Sequence, residues 1–267
     1  MDPRKRRWPA SFWFGTKREL LFLNTESYKV SSFYNAATTS SLKQVCTSAI
    51  GVLCLYENGR LFIFLKEQKK FQEIHHAGAI KQLVKDLKRI HLISNEGDLY
   101  VFQGIDKVQK VYSLGREMVY SAFSVVGTMV FCLKGKITVL DAYYHAVDSP
   151  LKKFNSSLNA QVVGIIQHKN TYVIGVKGQG LFLMNQTGNM VSITANYYQD
   201  KSLKSNQVNC LYKDAEEVIW VGTDRGLSCF KEQEEEWLKI GPSTNSKESL
   251  ITENVWSFSK LNSPLVS

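Results

Sequence analysis

Short apolar runs alternate along the chain with polar turns that contain Gly, Asp or Asn. Between residues 206 and 230 three such runs follow one another, at 208–212, 218–223 and 227–230. The turn Asp224-Arg225-Gly226 is typical of a tight hairpin in which Gly226 adopts the left-handed conformation that a side chain would oppose. The three runs are therefore predicted to form an antiparallel β-meander.

The middle run of this meander is apolar on both faces of the strand that it predicts. Alternate residues of a strand point to opposite faces, which places Val218, Trp220 and Gly222 on one face and Ile219, Val221 and Thr223 on the other. Such a strand needs a packing partner on each side of its sheet. Gly222 within the strand indicates the close approach of a neighbouring backbone.

The same strand-turn-strand pattern returns at a nearly constant interval. The apolar residue after the turn is, in successive copies, Leu21, Leu61, Leu99, Ile137, Leu181 and Leu227, with gaps of 40, 38, 38, 44 and 46 residues. The corresponding hairpins are predicted near residues 12–23, 52–64, 91–102, 130–140, 172–183 and 219–230. A period of roughly 40–45 residues with four short strands is typical of a β-propeller, whose blades stack radially. We therefore predict an all-β fold of about six four-stranded antiparallel blades, with a β-sandwich of accidental spacing as the alternative.

The first and last blades are expected to be incomplete. Residues 1–11 are rich in Arg and Lys and contain Pro3 and Pro9, which suits a disordered basic leader better than an inner strand. The propeller is therefore assigned to residues 12–267, without an inner strand in its first blade. Residues 254–258 repeat the inner-strand pattern. The chain is thus either a fragment that stops within a propeller or a six-bladed ring that this strand closes beside the Trp13 strand.

One stretch supports two interpretations. Ile80, Leu83, Leu87 and Ile90 have the spacing of an amphipathic helix. The repeat register instead places an inner strand at residues 80–84. We predict the strand, because the register is shared with the other copies.

Charge and hydropathy exclude some classes of function. The chain of 267 residues is 44% hydrophobic and has a formal net charge of +9, with its basic residues concentrated at 1–7, 66–70 and 81–89. Aromatic residues do not alternate with these charges as base stacking would require, which favours a solvated face over a nucleic-acid interface. The sequence has no apolar run of about 18 residues to predict a membrane segment. No apolar stretch follows the basic start to predict a secretion signal.

No pattern in the sequence predicts catalytic, cofactor-binding or metal-binding residues. The cysteines lack Cys-x-x-Cys spacing and are expected to be buried thiols, with a disulfide framework or zinc site as the alternative; they are Cys46, Cys54, Cys132, Cys210 and Cys229. The histidines lack metal-ligand spacing; they are His75, His76, His91, His145 and His168. Asp98, Asp214 and Asp224 fall in predicted turns, where each is expected to cap its own backbone.

The ligand-binding residues stay unknown at this level. A ligand site is expected where loops gather at one rim of the central channel, because the blades form a scaffold on which loops vary freely. Tyr197, Tyr198 and Trp237 suit sugar stacking by residue type alone.

Several copies resemble a known repeat. Val208, Asp214, Trp220-Val221-Gly222-Thr223 and Gly226-Leu227 resemble the two-component regulator propeller repeat. The resemblance extends to the first and fifth copies through Trp13, Gly15, Thr16, Gly178, Gly180 and Leu181. Such repeats occur in tandem in the N-terminal sensor region of hybrid histidine kinases of gut Bacteroidetes, notably those that detect glycans. The Gly that often precedes the Trp is replaced here by Glu216-Glu217-Val218.

The resemblance implies a non-catalytic sensor module of a two-component signal transduction histidine kinase that acts through a phosphorelay and responds to a glycan. Its expected partners are an oligosaccharide and a neighbouring propeller or kinase subunit of a homodimeric parent, without a cofactor. It implies a periplasmic location, whereas the sequence as written, without a signal peptide, predicts a cytoplasmic one. The alternative is a cytoplasmic propeller that scaffolds protein partners. A third reading, an enzyme on the propeller rim, would need specific rim acids.

Overall fold

The computed structural model describes residues 11–24, 27–75, 78–86, 89–115, 117–154, 161–196, 202–214, 216–231, 236–240 and 255. These residues form six antiparallel sheets and one short 3-10 turn, and no α-helix occurs among them. The prediction of an all-β chain with about six antiparallel sheets is confirmed. The sheets belong to two compact units, with the first three sheets in the unit that ends its main range at Glu117 and the last three in the unit of residues 118–258.

The first unit contains three sheets. The first sheet is formed by β1 (Ser11–Gly15), β2 (Glu19–Asn24) and β3 (Val30–Tyr34). The second contains β4 (Leu42–Thr47), β5 (Val52–Tyr56), β6 (Leu61–Leu65) and β7 (Lys70–Glu73). The third contains β8 (Ile80–Lys85), β9 (Ile90–Ser94), β10 (Asp98–Gly104) and β11 (Lys107–Ser113).

The second unit also contains three sheets. Its first is formed by β12 (Val119–Val125), β13 (Thr128–Leu133) and β14 (Lys136–Leu140), followed by the 3-10 turn Pro150–Lys153. The fifth sheet of the chain contains β15 (Val162–His168), β16 (Thr171–Val176), β17 (Gly180–Asn185) and β18 (Met190–Ile193). The sixth contains β19 (Val208–Lys213), β20 (Ile219–Thr223), β21 (Gly226–Lys231) and β22 (Glu236–Ile240).

Each four-stranded sheet is a meander in which neighbouring strands follow one another along the chain. In the first sheet β1 carries the Trp-x-Gly-Thr pattern that β20 carries in the sixth, so β1 corresponds to a second strand, and no inner strand precedes it among the described residues. The fourth sheet has three strands in the described part of the chain. After it, Leu151 and Phe154 are buried in the core that β14 lines.

A β-bulge recurs at the same place in each of the five inner strands that the structure describes. The register shifts fall between Leu42 and Gln44, Ile80 and Gln82, Val119 and Ser121, Val162 and Gly164, and Val208 and Cys210. One extra residue bends a strand and increases its twist. Each inner strand is therefore bent in the same way at its start.

The bulge explains the helix-like spacing of residues 80–90. Residues 80–85 form the inner strand β8, as the repeat register predicts. Because the bulge inserts one residue after Ile80, Ile80 and Leu83 are both buried although they are three positions apart. A spacing of three that suggests a helix thus belongs to a bulged strand.

The hydrophobic core lies between successive sheets. Leu20 of the first sheet packs with Val52 and Phe64 of the second, and Leu53 of the second packs with Leu92 of the third. In the second unit the same arrangement joins the fourth sheet to the fifth and the fifth to the sixth. Flat faces of neighbouring sheets are therefore buried against each other within each unit, as the two-sided apolar strands predict.

The glycines of the second strands make this packing close. A Cβ on Gly15 would lie 2.6 Å from Leu42 Cδ2, and a Cβ on Gly222 would lie 2.7 Å from Val255 Cγ1. Both approaching side chains come from the segment that follows the sheet in the next repeat. The backbone of Val255 also comes close, since its N–H donates to Thr223 O at 2.9 Å, and the side chains of Val255 and Cys210 fill the space beside Gly222.

Polar side chains link neighbouring inner segments. The Gln44 amide donates to the Leu83 carbonyl at 2.7 Å and accepts from the Leu83 N–H at 2.8 Å. In the second unit Ser121 Oγ donates to Val162 O at 2.9 Å. Asn209 Nδ2 donates to Val255 O at 3.1 Å. Such bonds satisfy backbone groups that face the adjacent sheet rather than their own.

Candidate ligand-binding cleft

The Trp-x-Gly-Thr hairpin of the sixth sheet is held by its own polar residues. Asp214 Oδ1 accepts hydrogen bonds from the backbone N–H of Glu216 and Val218, both at 2.9 Å. Its other oxygen accepts from Trp220 Nε1 at 2.8 Å. Thr223 Oγ1 donates to Gly226 O at 2.8 Å across the next turn. These residues fix turns, so the repeat motif is structural in origin.

The expectation that three aspartates cap their own turns holds for Asp214 alone. Asp98 lies in β10, and its carboxylate accepts from Ser113 Oγ at 2.6 Å and pairs with Lys110 Nζ at 2.7 Å. These bonds, led by the one to Lys110, lower the pKa of Asp98. Asp224 Oδ1 is buried, and none of the described residues donates a hydrogen bond to it. Asp98 therefore joins two strands instead of closing a turn.

The first unit contains a half-open cleft of about 580 Å³, which we call the rim cleft. It lies at one end of all three sheets, where β1, β5 and β9 begin and β4, β6, β8 and β10 end. Its lining residues are Ser11, Trp13, Thr47, Ser48, Ala49, Ile50, Lys66, Lys85, Arg89, Ile90, Phe102 and Gln103. Strand ends and turns thus line the cleft.

Hydrogen bonds hold the cleft wall in place. Lys85 Nζ, at the end of β8, donates to Thr47 O at 2.8 Å and so joins the third sheet to the second. In the turn after β8, the Arg89 backbone N–H donates to Asp86 Oδ1 at 2.6 Å. The Arg89 side chain lies beside the same carboxylate, with Nε 3.4 Å from Oδ2.

Aromatic packing supports the other wall. The Trp13 ring lies 4.7 Å from Phe22 and 5.4 Å from Phe64, measured between ring centroids. Phe22 belongs to the first sheet and Phe64 to the second, so Trp13 contributes to packing between sheets as well as to the cleft. Lys66 Nζ lies 5.7 Å from the centroid of the Trp13 ring. A cation near an aromatic ring is attracted to the electrons of its face.

The electrostatics around the cleft are set by burial and by its cations. Burial raises the pKa of Cys46, against the opposing effect of the Lys85 charge. Burial lowers the pKa of His91, which is 0% exposed; the nearby Asp86 carboxylate opposes this shift and the Arg89 charge adds to it. Burial therefore favours the neutral form of His91.

The residues suited to sugar stacking by type do not define this site. Tyr197 and Tyr198 lie outside the described residues, and Trp237 lies in β22, where its backbone pairs with Phe230. His91 Nδ1 lies 4.0 Å from Asp86, and His168 Nδ1 lies 3.4 Å from Glu217. No group of three or more His, Cys, Asp or Glu in the described part of the chain is arranged to hold a metal ion.

The sequence pattern did not predict that the cations of the cleft lie at one site. Lys66 and Arg89 belong to two basic stretches that favour a solvated face when read along the chain. The sequence did indicate that these cations lie near strand ends, since Lys66 directly follows the third strand of its sheet and Lys85 ends an inner strand. Only the stacking of three sheets places these ends side by side.

Comparison with known proteins addresses the repeat first. Residues 202–225 match the two-component regulator propeller family. The match covers the same Val208, Asp214 and Trp220-to-Thr223 positions that suggest this repeat, and the resemblance is confirmed there. No curated protein sequence matches the chain significantly.

Solved structures share the fold. The extracellular domain of a B. thetaiotaomicron protein, BT4673, named as a hybrid two-component system, aligns with a TM-score of 0.67 and 14% identity over 92% of this chain and 33% of its own. Another structure of the extracellular domain of BT4673, there named as a one-component system, aligns with a TM-score of 0.66 and 14% identity. This alignment covers 92% of this chain and 34% of the other. A chain of a mitotic checkpoint complex aligns with a TM-score of 0.63 and 16% identity, over 87% of this chain and 76% of the other.

These similarities establish the fold class. The chain has a β-propeller fold built from small antiparallel sheets, as its period predicts. It spans about a third of the length of the BT4673 extracellular domain. Within the described ranges, no helix has the length and hydrophobicity needed to cross a lipid bilayer.

Proposed function

We propose that this chain is a non-catalytic, ligand-binding propeller module of a two-component sensor, and that its ligand is an oligosaccharide. The observation that carries this proposal is the match of residues 202–225 to the regulator propeller repeat. The fold shared with the extracellular domain of a protein named as a hybrid two-component system supports the same role. In the parent protein, ligand binding would change the activity of a histidine kinase, which would start a phosphorelay.

The rim cleft is the proposed binding site. Its volume of about 580 Å³ is in the range of small-molecule sites. Exposed Ile50 and half-buried Trp13 and Phe102 offer apolar contacts, while Ser48 and Gln103 offer hydrogen-bonding groups. Oligosaccharides present the same mixture of apolar ring faces and hydroxyl groups.

The lining of the cleft favours binding over catalysis. Its described lining residues include no Asp, Glu, His or Cys, so they lack the carboxylate pair of glycoside hydrolysis and a His or carboxylate base to activate a lining Ser hydroxyl. Lys66 and Lys85 lie beside an aromatic ring and a backbone carbonyl, respectively, instead of a reactive partner. We therefore propose that a bound ligand leaves chemically unchanged and acts on a neighbouring propeller or kinase subunit.

Isothermal titration of the purified chain against a panel of oligosaccharides tests this proposal. Binding is expected, and the double variant Ile50→Ala with Gln103→Ala, which removes exposed cleft groups, should weaken it about tenfold. The control is Gln186→Ala with Val191→Ala, which changes exposed residues of the second unit. Silence of the folded protein to the whole panel would contradict sensing by this module.

A second candidate function is a scaffold for protein partners in the cytoplasm. Two observations favour it: the fold likeness to a chain of a mitotic checkpoint complex and the five cysteines, which are all thiols. The genomic neighbourhood distinguishes the two candidates. An adjacent reading frame that encodes further repeats and a histidine kinase supports the sensor, whereas its absence favours the scaffold.

A further inference from the structure

The rim cleft concentrates positive charge. Lys66, Lys85 and Arg89 line it together, and none of its described lining residues is acidic. Lys66 directly follows β6 of the second sheet, Lys85 ends the inner strand of the third sheet, and Arg89 lies in the turn after that strand. Cations that repel one another are thus brought to one small opening by the packing of the sheets.

Two of these cations have neutral neighbours. Lys66 Nζ lies 5.7 Å from the centroid of the Trp13 ring, and Lys85 Nζ donates to the Thr47 carbonyl at 2.8 Å. Among the described residues, no carboxylate forms an ion pair with either ammonium group. A ring face or a carbonyl orients an ammonium group without cancelling its charge.

The third cation is partly neutralised. Asp86 lies 3.4 Å from Arg89 Nε and accepts the Arg89 backbone N–H. Counted over the described residues that line the cleft and Asp86 beside them, three cations and one carboxylate give an excess of two positive charges. His91, the titratable group packed beside Asp86, is buried and adds no charge in its neutral form.

The shape of the site strengthens this charge. A cleft walled by protein focuses the field of its charges more than a flat surface does. At physiological ionic strength charges are screened over roughly 8 Å in open solvent, so three cations in one cleft act together on a single bound group. Carboxylate and sulfate groups accept hydrogen bonds from Lys and Arg and complement this charge.

We propose that the rim cleft binds an anionic saccharide, whose carboxylate or sulfate group lies between Lys66, Lys85 and Arg89. The proposal rests on the proposed sensing function and narrows the class of its ligand. The sugar ring would lie along Trp13, Ile50 and Phe102, and the acidic group would lie against the cations.

Matched probes test the role of the acidic group. The carboxylate arm uses an oligogalacturonate tetramer and the same tetramer with its carboxylates methyl-esterified. The sulfate arm uses a sulfated tetrasaccharide and its desulfated form. Titration calorimetry at about 50 mM and about 500 mM NaCl measures the affinity of the whole chain for each probe, because salt weakens a contact that depends on charge.

Matched variants test the site. Lys66→Gln with Lys85→Gln removes two charges from the cleft. Lys17→Gln with Arg18→Gln removes two charges from the exposed β1–β2 turn, which lies at the opposite end of the first sheet from Ser11. Thermal unfolding of both double variants checks that they are folded, and Lys66→Gln alone serves if loss of the Lys85 bond to Thr47 unfolds the first.

We expect an acidic probe to bind at least about tenfold more tightly than its neutral form, with this preference lost in the cleft variant and kept in the control. Equal binding of neutral and acidic probes would overturn the inference and leave the proposed sensing function standing. Equal losses in both double variants would also overturn it, since they would indicate attraction to net charge alone. If neutral probes bind and acidic probes do not, the inference is overturned. If neither the neutral nor the acidic probes bind, the inference and the proposed sensing function are both overturned.

Discussion

At the residue scale, the repeat motif is explained by packing and turn chemistry. Gly222 leaves room for Val255 and Cys210, and Thr223 closes the hairpin by donating to Gly226 O. Gly226 has a φ of 117°, within the range that favours glycine, as its place in the turn predicts. The residues that identify the repeat are therefore those that let one sheet fit against the next segment.

Replacement of Gly222 should measure this fit. In Gly222→Ala the new Cβ would lie 2.5 Å from Cys210 Sγ and 2.7 Å from Val255 Cγ1, so neighbouring groups must move. We expect the free energy of unfolding, from urea titration, to fall by about 1–3 kcal/mol. Gly104→Ala is the control, because a Cβ there meets no atom within 4 Å. Equal stability of the two variants would count against close packing at Gly222.

His91 should make the stability depend on pH. Burial is the main cause of its lowered pKa, so the folded state takes up a proton less readily than the unfolded state. Its contribution to stability is therefore complete above the ordinary histidine value of about 6.5 and is lost as the pH falls below it. Urea unfolding of His91→Gln between about pH 7.5 and about pH 5 should show a weaker loss on acidification than the parent.

The matched surface variant is His145→Gln, since the His145 side chain is 78% exposed. It controls for the loss of an imidazole as such. An unchanged acid-induced loss of stability in His91→Gln would show that other groups cause it.

At the element scale, a bulged inner strand and tight turns define each repeat. The bulge bends the strand, and a side chain such as Gln44 then bonds to the backbone of the next inner strand. Turns between strands use the left-handed conformation, which Val126 adopts with a φ of 42°. A β-branched residue is strained there, whereas Asn and Gly are favoured.

Relief of this strain should stabilise the β12–β13 hairpin. Val126 is 76% exposed and precedes Gly127, so Val126→Asn creates the preferred Asn-Gly turn without removing a core side chain. We expect an increase of about 0.5–1 kcal/mol in the free energy of unfolding. Val191→Asn, at an exposed position within β18, should give no increase. A lower melting temperature for Val126→Asn would argue against the strained turn.

The link between β4 and β8 should be worth more than an ordinary surface hydrogen bond. Gln44→Ala removes both hydrogen bonds to Leu83 and leaves the backbone N–H and carbonyl of Leu83 without these partners. We expect a loss of about 1–3 kcal/mol in urea unfolding. Gln186→Ala removes one exposed bond, to the Asn170 carbonyl, and should have little effect. Similar losses of unfolding free energy in both variants would contradict a special role for the Gln44–Leu83 hydrogen bonds.

At the scale of the whole molecule, stability comes from apolar faces buried between successive sheets in each unit. Covalent links do not contribute, because all five cysteines are thiols. Burial raises the pKa of Cys54 and of Cys132 to about 12, which keeps these thiols protonated and unreactive. The expectation of buried thiols is met by four of the five, with Cys46 partly exposed.

Reducing agent should therefore leave the thermal midpoint of the native chain unchanged. Thiol titration should label Cys46 first in the folded protein and all five cysteines only after denaturation. The measurement is a melting curve with and without dithiothreitol, together with mass spectrometry of the labelled peptides. A midpoint that falls on reduction would reveal a disulfide and contradict this account.

The sequence by itself determined the fold class, the number of sheets and the inner strand at Ile80. These follow from local rules, since side-chain alternation and turn residues repeat within each copy and need no knowledge of distant residues. Only the tertiary structure decided the rim cleft, the roles of Asp98 and the bridge from Gln44 to Leu83. The physical reason is that Trp13, Lys66, Lys85 and Arg89 lie in, or directly next to, strands of three different sheets, and the packing of those sheets sets the distances between them.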